Sequence, residues 1–436
     1  YLLISLLEAP LLAGILAYVT RYISPEKLSS GYSFGANDNL MAYIFMSVVV
    51  ALFIGMTVSA EEIIKDRKIR QREAFLNLSR FSYINSKVII LFALSAIQTL
   101  SFVLVGNTVF GISGMTVAYW IVLFTTSCLA NMIGLMISSG FNSVITVYIL
   151  IPFILVPQLI FSGVIVKFDK LNNYLGNYEF VPVIGDMMTS RWAFEALAVE
   201  QFRNNKFQKE FFDLEKEISN NGYVSNFLIP AIDNKLNNIE RDISKNKKIM
   251  NIDDFLLLQN GIMQLEKISE KKFSQDVALN KNIFKLDDLE KIKTYLQPLR
   301  KLYGSRYNAA CSLRDKKYND LFKQYGGEES FIAFRNKYHN QSLSDLVLNN
   351  LELNKIREIE GKFVRVKDPV YYAPESNCGR AHLYSSIKII GNTQFDTFWF
   401  NILFIWITTL SLYIFLYFDL LKKLLDKLGE IKFKKR

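Results

Sequence analysis

Histidine and cysteine are almost missing from this chain, whose 436 residues include two of the first and three of the second. Two histidines, His339 and His382, cannot build a histidine-based metal cage. The sequence also has no H-E-x-x-H, no C-x-x-C and no G-x-x-x-x-G-K-[ST] phosphate loop. One G-x-S-x-G match, Gly31 to Gly35, falls in a short connection between two apolar runs. A nucleophile elbow needs a strand before it, a helix after it, and an acid and a histidine to activate the hydroxyl, so the match reads as chance. Charge is scarce too: 21% of residues are charged, half are apolar, 14% are aromatic, and the mean hydropathy is +0.16. That balance excludes a disordered chain and argues against an ordinary cytosolic enzyme.

The formal charge of +10 would suit nucleic acid or a membrane surface, and its distribution decides between them. Residues 167–396 hold 35 basic and 31 acidic groups, a nearly balanced composition. Elsewhere the basic groups crowd into two places, seven in Glu61 to Lys87 and seven after Tyr417. Short basic loops beside long apolar runs mark a membrane protein, with no nucleic-acid partner expected. Six stretches are long and apolar enough to cross a bilayer core of about 30 Å: Leu2 to Thr20, Leu40 to Ala60, Val88 to Val105, Thr116 to Ser138, Val144 to Val166 and Thr397 to Tyr417. The positive-inside rule puts both basic stretches in the cytoplasm and residues 167–396 outside. The expected fold is therefore an all-α membrane protein of six transmembrane helices. Spans one to five fill 1–166 with a cytoplasmic helix at about 61–82. A large, mostly helical external domain occupies 167–396, and 397–436 hold the sixth span and a basic tail. Tyr1 opens the sequence inside an apolar run with neither a basic head nor a cleavage site, which predicts a retained first span with residues upstream of it.

Within the external segment, Pro182, Pro230, Pro298, Pro369, Pro374 and the pair Gly326-Gly327 are expected to punctuate helices of ordinary length. An amphipathic stretch inside the interfacial segment at about 183–205, Asp186 to Phe202, could lay Met188, Trp192, Phe194 and Leu197 against lipid or pack as a core helix of the external domain. Cys311 and Cys378 fall together on the external side, where an oxidising compartment makes them a candidate disulfide. Among polar groups inside the spans, Glu8 is expected to pair with a neighbouring helix or the inner interface. Asn131 and Gln158 should bond between helices, and Pro152 and Pro157 should bend the fifth span.

The segment SAEEIIKDRKIRQREAFLNLSRFSYINSK, Ser59 to Lys87, carries the most specific pattern: an acidic pair, a basic stretch with Arg-Glu, then a tyrosine and a lysine opening the next span. With Phe161-Ser162-Gly163 before Val164-Ile165-Val166, and Ser190-Arg191-Trp192-Ala193-Phe194-Glu195-Ala196-Leu197 beyond, it resembles the permease domain of G-subfamily ABC exporters, the white and pleiotropic-drug-resistance class with an ABC-2 type membrane fold. The closing stretch from Phe395 to Lys423 resembles the last span of bacterial members. The likeness covers about 1–205 and 380–436. It departs from the family in the length of the external insertion and in lacking the nucleotide-binding domain usually fused upstream.

The resemblance implies that Glu61, Arg67, Arg72, Glu73 and Tyr83 belong to a helix that couples to the ATPase domain. It implies a substrate cavity faced by Val50, Phe53, Ile54 and Thr57 of span two and Leu155, Val156 and Leu159 of span five, and an outer plug at Val164 and Ile165. It further implies a homodimer in a bacterial inner membrane, residues 167–396 on the periplasmic side, contact with membrane lipid, and a nucleotide-binding domain, fused or separate, that holds ATP and magnesium. The cargo expected in so apolar a cavity is lipid-like or amphipathic, moved outward. The competing class is a membrane-anchored receptor or scaffold that presents the external domain without transport. An integral membrane enzyme lacks a catalytic constellation.

Overall fold

The computed structural model describes residues 2–22, 25, 31–72, 75, 79–172, 174, 176, 180–244, 252–273 and 286–433. The chain divides into two compact units. The first comprises residues 1–206, 335–344 and 374–436, and the second comprises 207–334 and 345–373.

Long apolar helices dominate the first unit. They are α1 (Leu2–Thr20), α2 (Leu40–Ser59), the short charged α3 (Glu62–Arg72), α4 (Arg80–Phe110), α5 (Thr116–Gly140) and α6 (Val144–Ile160), followed by the short α7 (Val183–Asp186) and α8 (Thr189–Arg203). Among the described residues, five helical stretches are long and apolar enough to cross a membrane: those of α1, of α2 continuing into α3, of α4, of α5, and of the later helix Thr397–Tyr417. α6 has 17 residues, which span about 25 Å at 1.5 Å per residue. It ends six residues before the expected Val166, because the chain turns at Phe161 and Gly163 takes a left-handed φ of +80°. α4 closes on Gly111, also left-handed, whose N–H and that of Ile112 both donate to the Asn107 carbonyl at 2.9 Å.

Small residues set the closest seam. A Cβ built on Gly55 of α2 would lie 2.7 Å from the Ser127 carbonyl oxygen and from Ala130 Cβ of α5. One on Gly134 of α5 would lie 2.8 Å from the Met56 carbonyl oxygen of α2. Neither helix could approach so nearly with a side chain there. Across the other seams polar groups bond as expected, Asn131 Nδ2 donating to Ser95 Oγ at 2.7 Å and Gln98 Nε2 to the Ser5 carbonyl at 2.8 Å. α8 is buried on every side from Thr189 to Val199. Trp192, Phe194 and Leu197 therefore pack in protein and do not lie on lipid; α8 is a buried helix, but one packed on α2 and α5 within the first unit.

The second unit is a helical core: α9 (Phe212–Tyr223), a π-turn at Val224–Leu228, α10 (Ile229–Ser244), α11 (Ile252–Ser269) and the 39-residue α12 (Leu286–Gln324). Ile229, Ile232, Leu236 and Ile239 recur at helical spacing and bury one face of α10 against Leu258 and Ile262 of α11 and Ile292 of α12. Pro230 lacks the N–H that would bond back along the helix, and its ring crowds the preceding turn, which accounts for the widened π-turn just before it. Pro298, expected to break a helix, lies inside α12. Gly326 and Gly327, both at positive φ, do separate α12 from α13 (Glu328–Tyr338). The boundary between the units falls within α13 and the following α14 (Gln341–Val347).

The chain is mostly helical, and two short antiparallel hairpins stand among its described residues: β1 (Ile356–Ile359) with β2 (Lys362–Arg365), and β3 (Ile387–Ile390) with β4 (Thr393–Asp396). In the first, Glu360 and Gly361 both take positive φ, the two-residue turn whose twist suits paired strands. β4 leads into α15 (Thr397–Tyr417), capped by the Asp396 carboxylate accepting from the Phe398 N–H at 3.0 Å, and α16 (Leu420–Phe433) follows. Cys311 lies on α12 in the second unit and Cys378 in the first. The expected Cys311–Cys378 pair thus has one cysteine in each unit.

Candidate functional site

A helix as charged as α3 cannot bury a face in apolar surroundings, so it must be held by polar contacts. Its first turn carries N–H groups with no helical partner, and Ser138 Oγ of α5 accepts from two of them, Ile63 and Ile64, at 3.2 Å each. Arg67 reciprocates by donating to the carbonyls of Ser139 and Phe141 and to the Asn142 side chain, satisfying acceptors left open where α5 ends. On its other side, Lys87 of α4 sits 2.7 Å from Glu62 and 2.8 Å from Asp66, and the Tyr83 hydroxyl donates to Asp66 at 3.1 Å. Glu62 and Asp66 are one helical turn apart on α3, as Tyr83 and Lys87 are on α4, so two turns clasp each other. Glu61 accepts from Lys65 at 2.5 Å and from Tyr148.

Of the sequence-predicted coupling residues, Glu61, Arg67 and Tyr83 take part in this anchorage. Arg72 is exposed, and Glu73 lies outside the described residues. Sequence reasoning missed Glu62 and Ser138. The matching four-residue spacings Glu62/Asp66 and Tyr83/Lys87 were the available signal for the first. Lys65, Lys68, Ile69 and Arg72 stay exposed and give α3 a basic outer face.

A second charge cluster is wholly buried. Glu195 of α8 accepts from Lys388 Nζ of β3 at 2.8 Å, from the Tyr384 N–H at 3.2 Å and from Asn401 Nδ2 of α15 at 2.9 Å. Arg191, one turn earlier, lies 3.5 Å from Glu195 and 3.2 Å from Asp186 of α7, and its guanidinium stacks 3.9 Å from the Trp192 ring centre. Asp186 also meets Arg380 at 3.1 Å. Tyr384 holds a left-handed φ of +68°, an uncommon conformation for a bulky residue, and it is this residue whose N–H reaches Glu195. Burial alone would raise the Glu195 carboxyl, but Lys388 and Arg191 hold it below the usual carboxylate range. Burial pushes the Lys388 ammonium down to about 8, with Glu195 offsetting only part of the cost. Gln158 of α6 seats the start of α8, its side-chain oxygen accepting from the Ser190 N–H at 2.9 Å. The sequence singled out the Arg191–Glu195 segment, but Lys388 and Asn401 arrive from 193 and 206 residues downstream of Glu195 with no local signal.

The expected cavity residues divide. Phe53, Val156 and Ile165 are exposed, Val50, Thr57, Leu155, Leu159 and Val164 are half-buried, and Ile54 is buried. Val50 and Ile54 line a small pocket among α1, α2, α4 and α5. Glu8 has no hydrogen bond or ion pair to a neighbouring helix among the described residues.

Residues 8–202 match the family model of the ABC-2 type transporter, a stretch that runs from α1 into α8 and holds the whole α3 anchorage. No curated protein matches the chain. That stretch, somewhat under half of the chain, is similar to the membrane domain of ABC-2 type transporters.

Proposed function

We propose that this chain is the permease half of an ATP-driven exporter of the G-subfamily type, working as a homodimer with six spans per copy, α6 included. Its cargo is lipid-like or amphipathic and moves outward, with the α3 end in the cytoplasm of a bacterial cell and residues 167–396 in the periplasm. ATP and magnesium are bound by a nucleotide-binding domain, fused upstream or on a partner, which docks on the basic outer face of α3.

The observation that carries the reading is the two-sided anchorage of α3. Hydrogen-bonded to the end of α5 and clasped by the start of α4, α3 passes a push from outside to two long helices at once. A flexible loop would absorb the same push. The test replaces Asp66 by Asn in a reconstituted transporter with its ATPase domain. The expected result is unchanged insertion and dimer mass with reduced transport for each ATP hydrolysed. Transport at the unmutated ratio would remove α3 as the coupling element.

A further inference from the structure

A pocket of about 170 Å³ opens between α1, α2 and α6, lined by Ile4, Ser5, Glu8, Phe53, Thr57 and Tyr148, with Val58 at its edge. Its other polar groups are already engaged. Ser5 Oγ accepts from Gln98 at 3.0 Å, Thr57 Oγ1 donates to the Phe53 carbonyl at 2.9 Å, and Tyr148 bonds to Glu61. Glu8 alone has no protein partner among the described residues, although it stands inside an apolar helix where an ionised carboxylate is expensive. Beside it lie two aromatic rings, Phe53 40% and Tyr148 42% exposed. A carboxylate that shares a pocket with aromatic rings is the chemistry that recognises an ammonium, by charge and by cation–π attraction together. The volume falls short of the about 300–1,000 Å³ that encloses a whole drug-sized ligand, so the pocket suits a head group whose tail remains in lipid.

We propose that Glu8, Phe53 and Tyr148 form a site for the head of a cationic amphiphile, an alkylammonium, and that this is the charge class of the cargo. The site stands on the pocket alone. Only the word cargo rests on the transport reading.

The test measures binding of tetradecyltrimethylammonium, uncharged tetradecyl maltoside and tetradecyl sulfate to the protein in phosphatidylcholine nanodiscs, each corrected for empty discs. Wild-type protein should prefer the cation over the neutral probe by about tenfold, as a charge-assisted contact warrants. Glu8→Gln should abolish that preference and Glu8→Asp should keep part of it. Equal binding of the three probes, or a cation preference that survives Glu8→Gln, overturns the site. A change of dimer mass in Glu8→Gln also overturns it, by assigning the carboxylate to a contact between copies. Vesicle transport with the ATPase domain separates the two claims. Binding that depends on Glu8 without transport leaves the site standing and sinks the exporter reading, whereas transport indifferent to probe charge leaves the exporter reading standing and overturns the charge class of the cargo.

Discussion

The two charge clusters of the first unit use the same residue types in opposite settings. Around α3, Glu62, Asp66 and Lys87 meet at hydrogen-bond distance with roughly a quarter of each side chain open. Around α8, Glu195, Arg191 and Lys388 meet with none open. Water can replace a lost partner in the first cluster and cannot in the second. The difference teaches that the α3 clasp can be released and remade at little cost, while the α8 cluster fixes α8, β3 and α15 as one body.

The largest test of this contrast is Lys388→Met, which leaves the buried Glu195 without its closest cation, only Arg191 at 3.5 Å remaining, and should cost about 3 kcal/mol in denaturant unfolding of detergent-solubilised protein. Glu195→Gln with Lys388→Met should recover most of that loss, and a double variant no better than the single one would mean that the pair is not what holds the cluster. A pH series sharpens the point. Lys388 holds its proton less firmly folded than unfolded, so between its folded value of about 8 and the ordinary lysine value of about 10.4 the unfolded chain binds more protons. Stability from this group therefore rises with pH across that window, and Lys388→Met should lack the rise. Next in size, Gly134→Ala should cost about 1–3 kcal/mol by forcing a methyl against the Met56 carbonyl, read from the thermal midpoint. Smallest is Lys87→Met, at most about 1 kcal/mol because its ion pairs are partly solvated. A loss as large as that of Lys388→Met would erase the distinction between the clusters.

Much of the helical plan is legible because apolar length is a local property: α1 and α15 begin and end at the residues that composition marks. α6 falls short of its expected end because hydropathy carries on through Val164 to Val166, whereas the backbone turns at Gly163. α8 misled for a different reason. Its sequence holds enough polar residues to suggest a wet face, yet Arg191, Glu195 and Gln201 are all buried, the first two in ion pairs. The hairpins were readable in hindsight from Glu360-Gly361 and Gly391-Asn392, each a two-residue turn signal between short apolar-rich strands. Of the candidate site, the α3–α4 clasp was visible as paired four-residue spacings. Lys388 and Asn401 depend on tertiary placement that no window along the chain contains.

The seam at Gly55 and Gly134 bears on how the proposed stroke would travel. Where a helix backbone rests directly against its neighbour, displacement is passed on by repulsion, which rises too steeply with approach for either helix to lag. α3 is tied to α5, and α5 to α2 through this seam, so the train from α3 to α2 contains no solvated charge beyond its first link. Ionic strength should therefore weaken the docking of an acidic socket on the exposed lysines of α3 while leaving the throw of α2, once docking has occurred, unchanged.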